Sequence, residues 1–111
     1  MMEAQSVILF ICNHGYAYDA MAEARKAGAR GGTIIHGRSS VSTEKQKFFG
    51  ITIHSEKDIL MVVCQEEQKA TLMRAMTSKY GVSTQARGLC FSMKVEDSIG
   101  FSFEPLDFKV E

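Results

Sequence analysis

The chain has 111 residues, of which 45% are hydrophobic and 23% charged, a size and composition typical of one globular domain. Its 13 Lys and Arg residues balance its 13 Asp and Glu residues, so it lacks the basic surplus of a nucleic-acid-binding protein. The longest apolar run, residues 7–12, is too short to cross a bilayer, and the N-terminus does not resemble a secretory leader. We therefore expect a cytoplasmic protein without membrane insertion.

The first half of the chain predicts a strand, a helix and a second strand. Residues 6–13 form the first strand, which is apolar at every position from 7 to 12. Residues 16–27 have helical periodicity, with alanines at 20, 24 and 27 on one face and Gly28 as the stop signal. Residues 33–36 predict the second strand. Residues 39–50 are polar without a clear period, which indicates an exposed loop.

The second half predicts a strand, a helix and a strand. Residues 51–53 begin the third strand, and its core is residues 59–64. A helix follows over residues 66–80, then a loop over residues 82–88. Residues 89–95 alternate as a strand, with an apolar side formed by Leu89, Phe91, Met93 and Val95.

The order βαββαβ predicts an α+β, ferredoxin-like domain over residues 1–111, with an antiparallel sheet and two helices on one face. It includes the loop 39–50 and a C-terminal tail, 101–111. The first and third strands are continuously apolar, so we place them at the centre, as parallel neighbours, and the alternating fourth strand at an edge.

That arrangement leaves one apolar face of the sheet without helices. A second copy of the chain is the simplest cover, which predicts a closed oligomer. The alternative is that the tail folds back over this face, using Phe101, Phe103 and Phe108.

The three cysteines and three histidines lack the spacing of known metal motifs. Each cysteine ends or interrupts an apolar run, so we expect buried, reduced thiols; they are Cys12, Cys64 and Cys90. Among the histidines, we expect His36 and His54 to share one sheet edge and His14 to lie at the opposite edge. Two histidines make a poor zinc site, so no metal ligand is assigned.

The stretch GARGGTIIHGR, residues 28–38, combines two glycine-containing turns with a short β-branched run. Backbone amides at Gly31 and Gly32, the hydroxyl of Thr33 and the guanidinium of Arg38 are suited to an anionic ligand. A tight turn followed by a hairpin loop is the alternative.

Together with FFGITIHSEKDILMVV (residues 48–63) and GLCFSMKVEDSIGF (residues 88–101), this stretch resembles the PII family of nitrogen-regulatory signalling proteins, and more closely a PII-like branch. The resemblance covers residues 6–104. It implies a homotrimer of ferredoxin-like subunits that binds ATP or ADP between subunits and regulates a transporter or enzyme through a long loop. Such proteins are sensors, not enzymes.

Matched residue by residue, the resemblance implies a ligand site formed by Gly31, Gly32, Thr33, Gly37, Arg38, Arg87 and Gly88. Leu89 replaces the family's phosphate-binding lysine, and Gly100 and Ser102 replace two arginines. Fewer charge-assisted contacts to phosphate favour ADP, AMP or another small effector over ATP.

The predicted partner loop is shorter than in the family and contains Lys45, Lys47, Phe48 and Phe49, basic groups beside aromatics that suit a protein surface. No tyrosine lies between Arg38 and Asp58, so uridylylation is not expected. The motifs GxSxG, HExxH and GK[ST] are all absent, which favours a non-enzymatic protein. Two alternatives remain: an oligomeric interaction module without a small ligand, and a metal-binding protein similar to the copper-tolerance proteins.

Overall fold

A computed structural model describes residues 4–39, 47–48, 51–52 and 56–100 of the chain. Its elements are β1 (Gln5–Asn13), α1 (Ala17–Lys26), β2 (Thr33–Arg38), β3 (Lys47–Phe48), β4 (Ile51–Thr52), β5 (Glu56–Gln65), α2 (Lys69–Tyr80) and β6 (Leu89–Val95), with a 3₁₀ turn, Glu66–Gln68, before α2. The predicted helices and long strands are confirmed to within a few residues. No helix in these described ranges is long and apolar enough to span a bilayer.

Four strands form one sheet in the order β2, β5, β1, β6, and every neighbouring pair is antiparallel. The ferredoxin-like arrangement, the central pair and the edge position of the last strand are therefore confirmed. The prediction that the central strands are parallel is wrong. The α1 crossover returns β2 to the direction of β1, and β5 reverses that direction, so β5 runs antiparallel to β1, with Lys57 opposite Asn13.

A small second sheet changes the prediction for the middle of the chain. Strands β3 and β4 pair with each other, Phe48 opposite Ile51, and stay apart from the main sheet. Residues 51–52 therefore do not begin the third long strand, which starts at Glu56. A two-residue ladder is too short to show the period of two that identifies a strand in sequence.

Both helices pack on one face of the main sheet, the helix face, where alternate residues of β1 and β5 are buried. Ala17, Ala20 and Ala24 of α1 are buried there, which lets the helix lie close to the sheet, as the spacing of the alanines predicts. The buried apolar residues are Ile8, Phe10, Cys12, Ala17, Ala20, Met21, Ala24, Leu60, Val62, Cys64, Leu72, Met76 and Ala86.

The other side of the sheet, the open face, is also apolar. Its central residues, Val7, Leu9, Ile11, Ile59, Met61 and Val63, are partly exposed. The alternating last strand adds its apolar side here, because β6 turns Cys90 toward the core and leaves Leu89 52% and Met93 51% exposed. The tail 101–111, the alternative cover, lies outside the described residues.

Candidate functional site

Three segments meet where β1 ends, β2 ends and β5 begins. The strand register sets His36 opposite Asp58 and Arg38 opposite Glu56, while β1 ends beside them at Asn13. The loop before β6 also reaches this point. We call residues 13–15, 36–38, 56–58 and 85–87 the polar edge of the sheet.

A buried carboxylate lies at the centre of the polar edge. Asp58 is 1% exposed, and its Oδ1 accepts hydrogen bonds from Nδ1 of His14 at 2.9 Å and from Nδ1 of His36 at 2.7 Å. Its Oδ2 accepts a hydrogen bond from the backbone N–H of Gly15 at 2.9 Å. The two imidazole rings are 5.4 Å apart in an edge-to-face arrangement. We call His14, His36 and Asp58 the His–Asp cluster.

The hydrogen bonds determine the charge of this carboxyl group. Burial on its own raises the pKa of Asp58, but the hydrogen bonds from Gly15, His14 and His36 outweigh burial and lower this pKa to about 2. The same hydrogen bond to Asp58 raises the pKa of His14. Asp58 is therefore an anion at neutral pH.

Gly15 makes this geometry possible. Its φ of +102° lies in the left-handed region that residues with a side chain rarely adopt, and in this conformation its N–H donates to Asp58. The same turn sets His14 against the carboxylate, so the prediction that His14 lies at the opposite edge is wrong. That error follows from treating the central strands as parallel. His54 lies outside the described residues.

The loop before β6 is tied to the end of β1 by Asn13. The backbone N–H of Asn13 donates to the carbonyl of Ala86 at 2.8 Å, and its Nδ2 donates to the carbonyl of Gln85 at 2.8 Å. Arg87 follows with φ of +51° and an exposed side chain. Both Arg87 and Arg38, the cations predicted for phosphate, therefore belong to the polar edge. Neither forms an ion pair with any residue that the structure describes.

The other predicted ligand residues are divided between this edge and the far end of β2. Gly37 precedes Arg38 at this edge. Thr33 is the first residue of β2, at the other end of the strand, and Gly31 and Gly32 come directly before it. Thr33 and Arg38 are five positions apart along an extended strand, which corresponds to a distance of about 17 Å. One chain therefore does not bring the two groups together.

Close packing within the chain is enough to explain why two of the predicted ligand residues are glycines. A Cβ at Gly32 would lie 2.9 Å from both Met21 Sδ and the Met61 carbonyl oxygen, and a Cβ at Gly88 would lie 2.1 Å from the Tyr80 carbonyl oxygen. The spaces beside Gly31 and Gly37 are open. Of the predicted partner-loop residues, Lys47 and Phe48 form β3, and Lys45 and Phe49 lie outside the described residues.

Two clefts found among the described residues are lined by residues other than these predicted ones. One, of about 190 Å³, lies beside Gly28, Arg30 and Gln68; the other, of about 160 Å³, lies beside Gln5 and Asp97. Both are smaller than the roughly 300–1,000 Å³ of typical small-molecule pockets. In the described part of a single chain, neither is a nucleotide pocket.

Comparison with known proteins supports the architecture. No family model matches the sequence, and no curated protein matches it. Among solved structures, a PII-like signalling protein of Thermus thermophilus superposes with a TM-score of 0.62 at 14% identity, covering 84% of this chain and 88% of that one. The chain has the fold of the PII proteins.

Two further structures with the PII fold match at similar levels. Arabidopsis thaliana PII, solved bound to citrate, gives a TM-score of 0.67 at 16% identity and covers 88% of this chain and 81% of its own. The ATP complex of B. subtilis GlnK gives a TM-score of 0.67 at 9% identity and covers 86% of this chain and 87% of its own. At these identities the similarity establishes the fold alone.

Proposed function

We propose that this protein is a cytoplasmic, trimeric sensor of the PII-like type. It binds a small anionic effector, an adenine nucleotide with one or two phosphates, between subunits, and regulates a partner transporter or enzyme of nitrogen metabolism. It carries out no catalysis. The observation that carries this proposal is the division of the predicted effector residues between two ends of β2, which a second subunit can bring together.

The open face supplies the means of assembly. Its apolar side chains come from all three of β5, β1 and β6, and several are about half exposed in the single chain. Burying apolar surface stabilises association by about 25 cal/mol per Å² before association costs. Packing this face against a second copy is therefore favourable, and a closed trimer would cover it in every subunit.

The polar edge supplies the charge for an anionic effector. Arg38 and Arg87 are exposed and form no ion pair with a carboxylate in the described part of the chain, so they are available to phosphate oxygens. Two proteins with the same fold were solved with polyanions, ATP and citrate. Because the family's lysine and two further arginines are missing, we expect affinity to depend little on a third phosphate.

Native mass tests the assembly. Light scattering on the full chain should give three times the chain mass of 12.3 kDa. A monodisperse species at the chain mass would contradict the proposal and would favour the tail as the cover of the open face.

Calorimetry with AMP, ADP and ATP tests the effector site. The double variant Arg38→Ala with Arg87→Ala should lose a few kcal/mol of binding free energy, because each charge-assisted hydrogen bond contributes about 1.5–3 kcal/mol. Arg74→Ala is the matched control, since Arg74 is an exposed arginine on α2, away from the polar edge. Undiminished ADP or AMP binding in the double variant, or much tighter binding of ATP than of both, would show that the phosphates lie elsewhere.

The small size of the two clefts favours one alternative, an oligomeric interaction module without a small ligand. Thermal stability separates the two functions. A ligand present at 100 times its dissociation constant adds about 2.7 kcal/mol to the unfolding free energy. If none of the adenine nucleotides raises Tm while the native mass is that of a trimer, the module is the better description.

A further inference from the structure

The His–Asp cluster shares the polar edge with Arg38 and Arg87 but contains none of the proposed effector residues, and its side chains have the chemistry of metal ligands. They come from three separate segments: the turn after β1, β2 and β5. One donor atom from each residue lies within 4.8 Å of the others. We propose that His14, His36 and Asp58 bind one divalent transition-metal ion per chain.

The buried carboxylate has no permanent positive charge beside it among the residues that the structure describes. Its ion-pair partners there are the two histidines, which are charged only when protonated. The neighbouring Lys57 instead donates a hydrogen bond to the Asn13 side chain at 2.6 Å. Burying an anion is costly without a compensating charge. A divalent cation at the cluster would supply that charge.

The three donors are held in place by the fold. Asp58 is fixed by the Gly15 N–H, His36 lies directly opposite Asp58 in the β2–β5 register, and His14 belongs to the turn that Gly15 forms. The imidazole side chains remain 57% and 63% exposed, so the core does not need them for packing and solvent reaches them.

An ion fits with little movement. The Nδ1 to Oδ1 distances are now 2.9 and 2.7 Å, as hydrogen bonds require. Donors about 2.0–2.2 Å from a tetrahedral ion are roughly 3.3–3.6 Å apart. The exposed histidine rings can move outward by the roughly 0.4–0.9 Å that this separation requires, while Asp58 keeps its bond to Gly15.

The donor set selects the class of ion. Imidazole nitrogens suit zinc, copper, nickel and iron, whereas Mg²⁺ and Ca²⁺ prefer sets made of oxygen. Three protein donors leave at least one position of a four-coordinate zinc ion open to water or another ligand. The cluster is therefore a site for Zn²⁺ or another of these transition-metal ions, which would be a second ligand of the protein besides the nucleotide.

The test is calorimetry of the untagged, chelator-treated full chain titrated with Zn²⁺. We expect one Zn²⁺ per chain, with an affinity that excess Mg²⁺ leaves unchanged. His14→Gln and His36→Gln should each weaken Zn²⁺ binding by about 100-fold or more, since even changes beyond the direct ligands cost 10–100-fold. Because both rings are exposed, these variants should keep the wild-type circular dichroism spectrum.

His54→Gln is the matched control, because it removes the third histidine of the chain. We expect it to bind Zn²⁺ as the wild type does. The proposal is overturned if the wild type binds no Zn²⁺, if Mg²⁺ competes equally, if His14→Gln binds as tightly as the wild type, or if His54→Gln loses binding. Stoichiometry per chain does not depend on assembly, so a monomeric mass would overturn the proposed trimer and leave this result standing.

Discussion

The two faces of the sheet are formed by the same strands but differ in how much of their apolar surface is covered within the chain. On the helix face, β1 contributes Ile8 and Phe10, which are fully buried by the helices. On the open face, the same strand contributes Val7 and Leu9, which are only partly covered within the chain. Because side chains alternate along a strand, a continuously apolar strand has one set of residues that stabilises the fold and another that is available for assembly.

The largest effect should come from the helix face. Phe10→Ala removes a fully buried aromatic side chain, and we expect the unfolding free energy to fall by about 3–5 kcal/mol, measured by chemical denaturation. Leu9→Ala, one residue along and on the open face, is the control. If both variants lose the same unfolding free energy at a concentration where the chain is monomeric, the two faces do not differ in the way that we describe.

Two glycine substitutions test how closely the core is packed. Gly88→Ala would set a methyl group 2.1 Å from the Tyr80 carbonyl oxygen and 2.3 Å from Phe10 Cζ, and it should cost about 1–3 kcal/mol of stability. Gly31→Ala meets nothing within 4 Å and should change stability by less than about 1 kcal/mol. Denaturant midpoints of the two variants measure the difference, and equal midpoints would contradict it.

On the open face we expect a change in mass with little change in fold. Met93→Lys places a charge on an exposed part of β6, so it should reduce a trimer to single chains and alter the stability of the isolated chain by about 0.5 kcal/mol at most. Lys94→Ala, the neighbouring residue on the other side of the strand, should keep the wild-type mass. Light scattering measures the native mass of both variants. A Met93→Lys variant that remains a trimer would show that β6 does not take part in assembly.

The sequence was sufficient to predict the main elements because each has a strong period or a clear stop signal. The alanine face of α1 and the continuous apolar run of β1 are examples, and both are where they were expected. The boundary of β5 was missed because residues 51–52 look like a strand and do form one, in a separate sheet. Which strand a short segment pairs with depends on contacts distant in sequence.

The His–Asp cluster was not predicted, although its residues were visible. Its recognition required the relative direction of β1 and β5, and this direction decides whether His14 lies beside His36 or a strand length away. The sequence His14–Gly15 directly after a strand was an available signal, since a glycine there allows the backbone to turn toward a buried side chain. The carboxylate itself gave no signal, because Asp58 looks like a polar residue at the start of a strand.

The side of β6 that faces the helices carries a thiol, Cys90, whose environment predicts slow chemistry. Burial raises the pKa of the Cys90 thiol to about 11, from the ordinary value of 9.0. The thiolate is the reactive form, so at any pH well below 9 the reactive fraction should be about 100-fold smaller than for an unperturbed thiol, and alkylation correspondingly slower. The rate should rise about tenfold per pH unit until pH approaches 11.

Iodoacetamide labelling at about pH 8, where an ordinary thiol is partly ionised, followed by peptide mass spectrometry, measures this rate, with the denatured chain as the unperturbed reference. Phe91→Cys is the matched variant, because it places a thiol on the open side of the same strand. In a monomeric background such as Met93→Lys, this thiol should react at nearly the reference rate while Cys90 stays slow. Rapid labelling of Cys90 would mean that β6 turns its other side to the core, and the open face would then lose the apolar side chains of its edge.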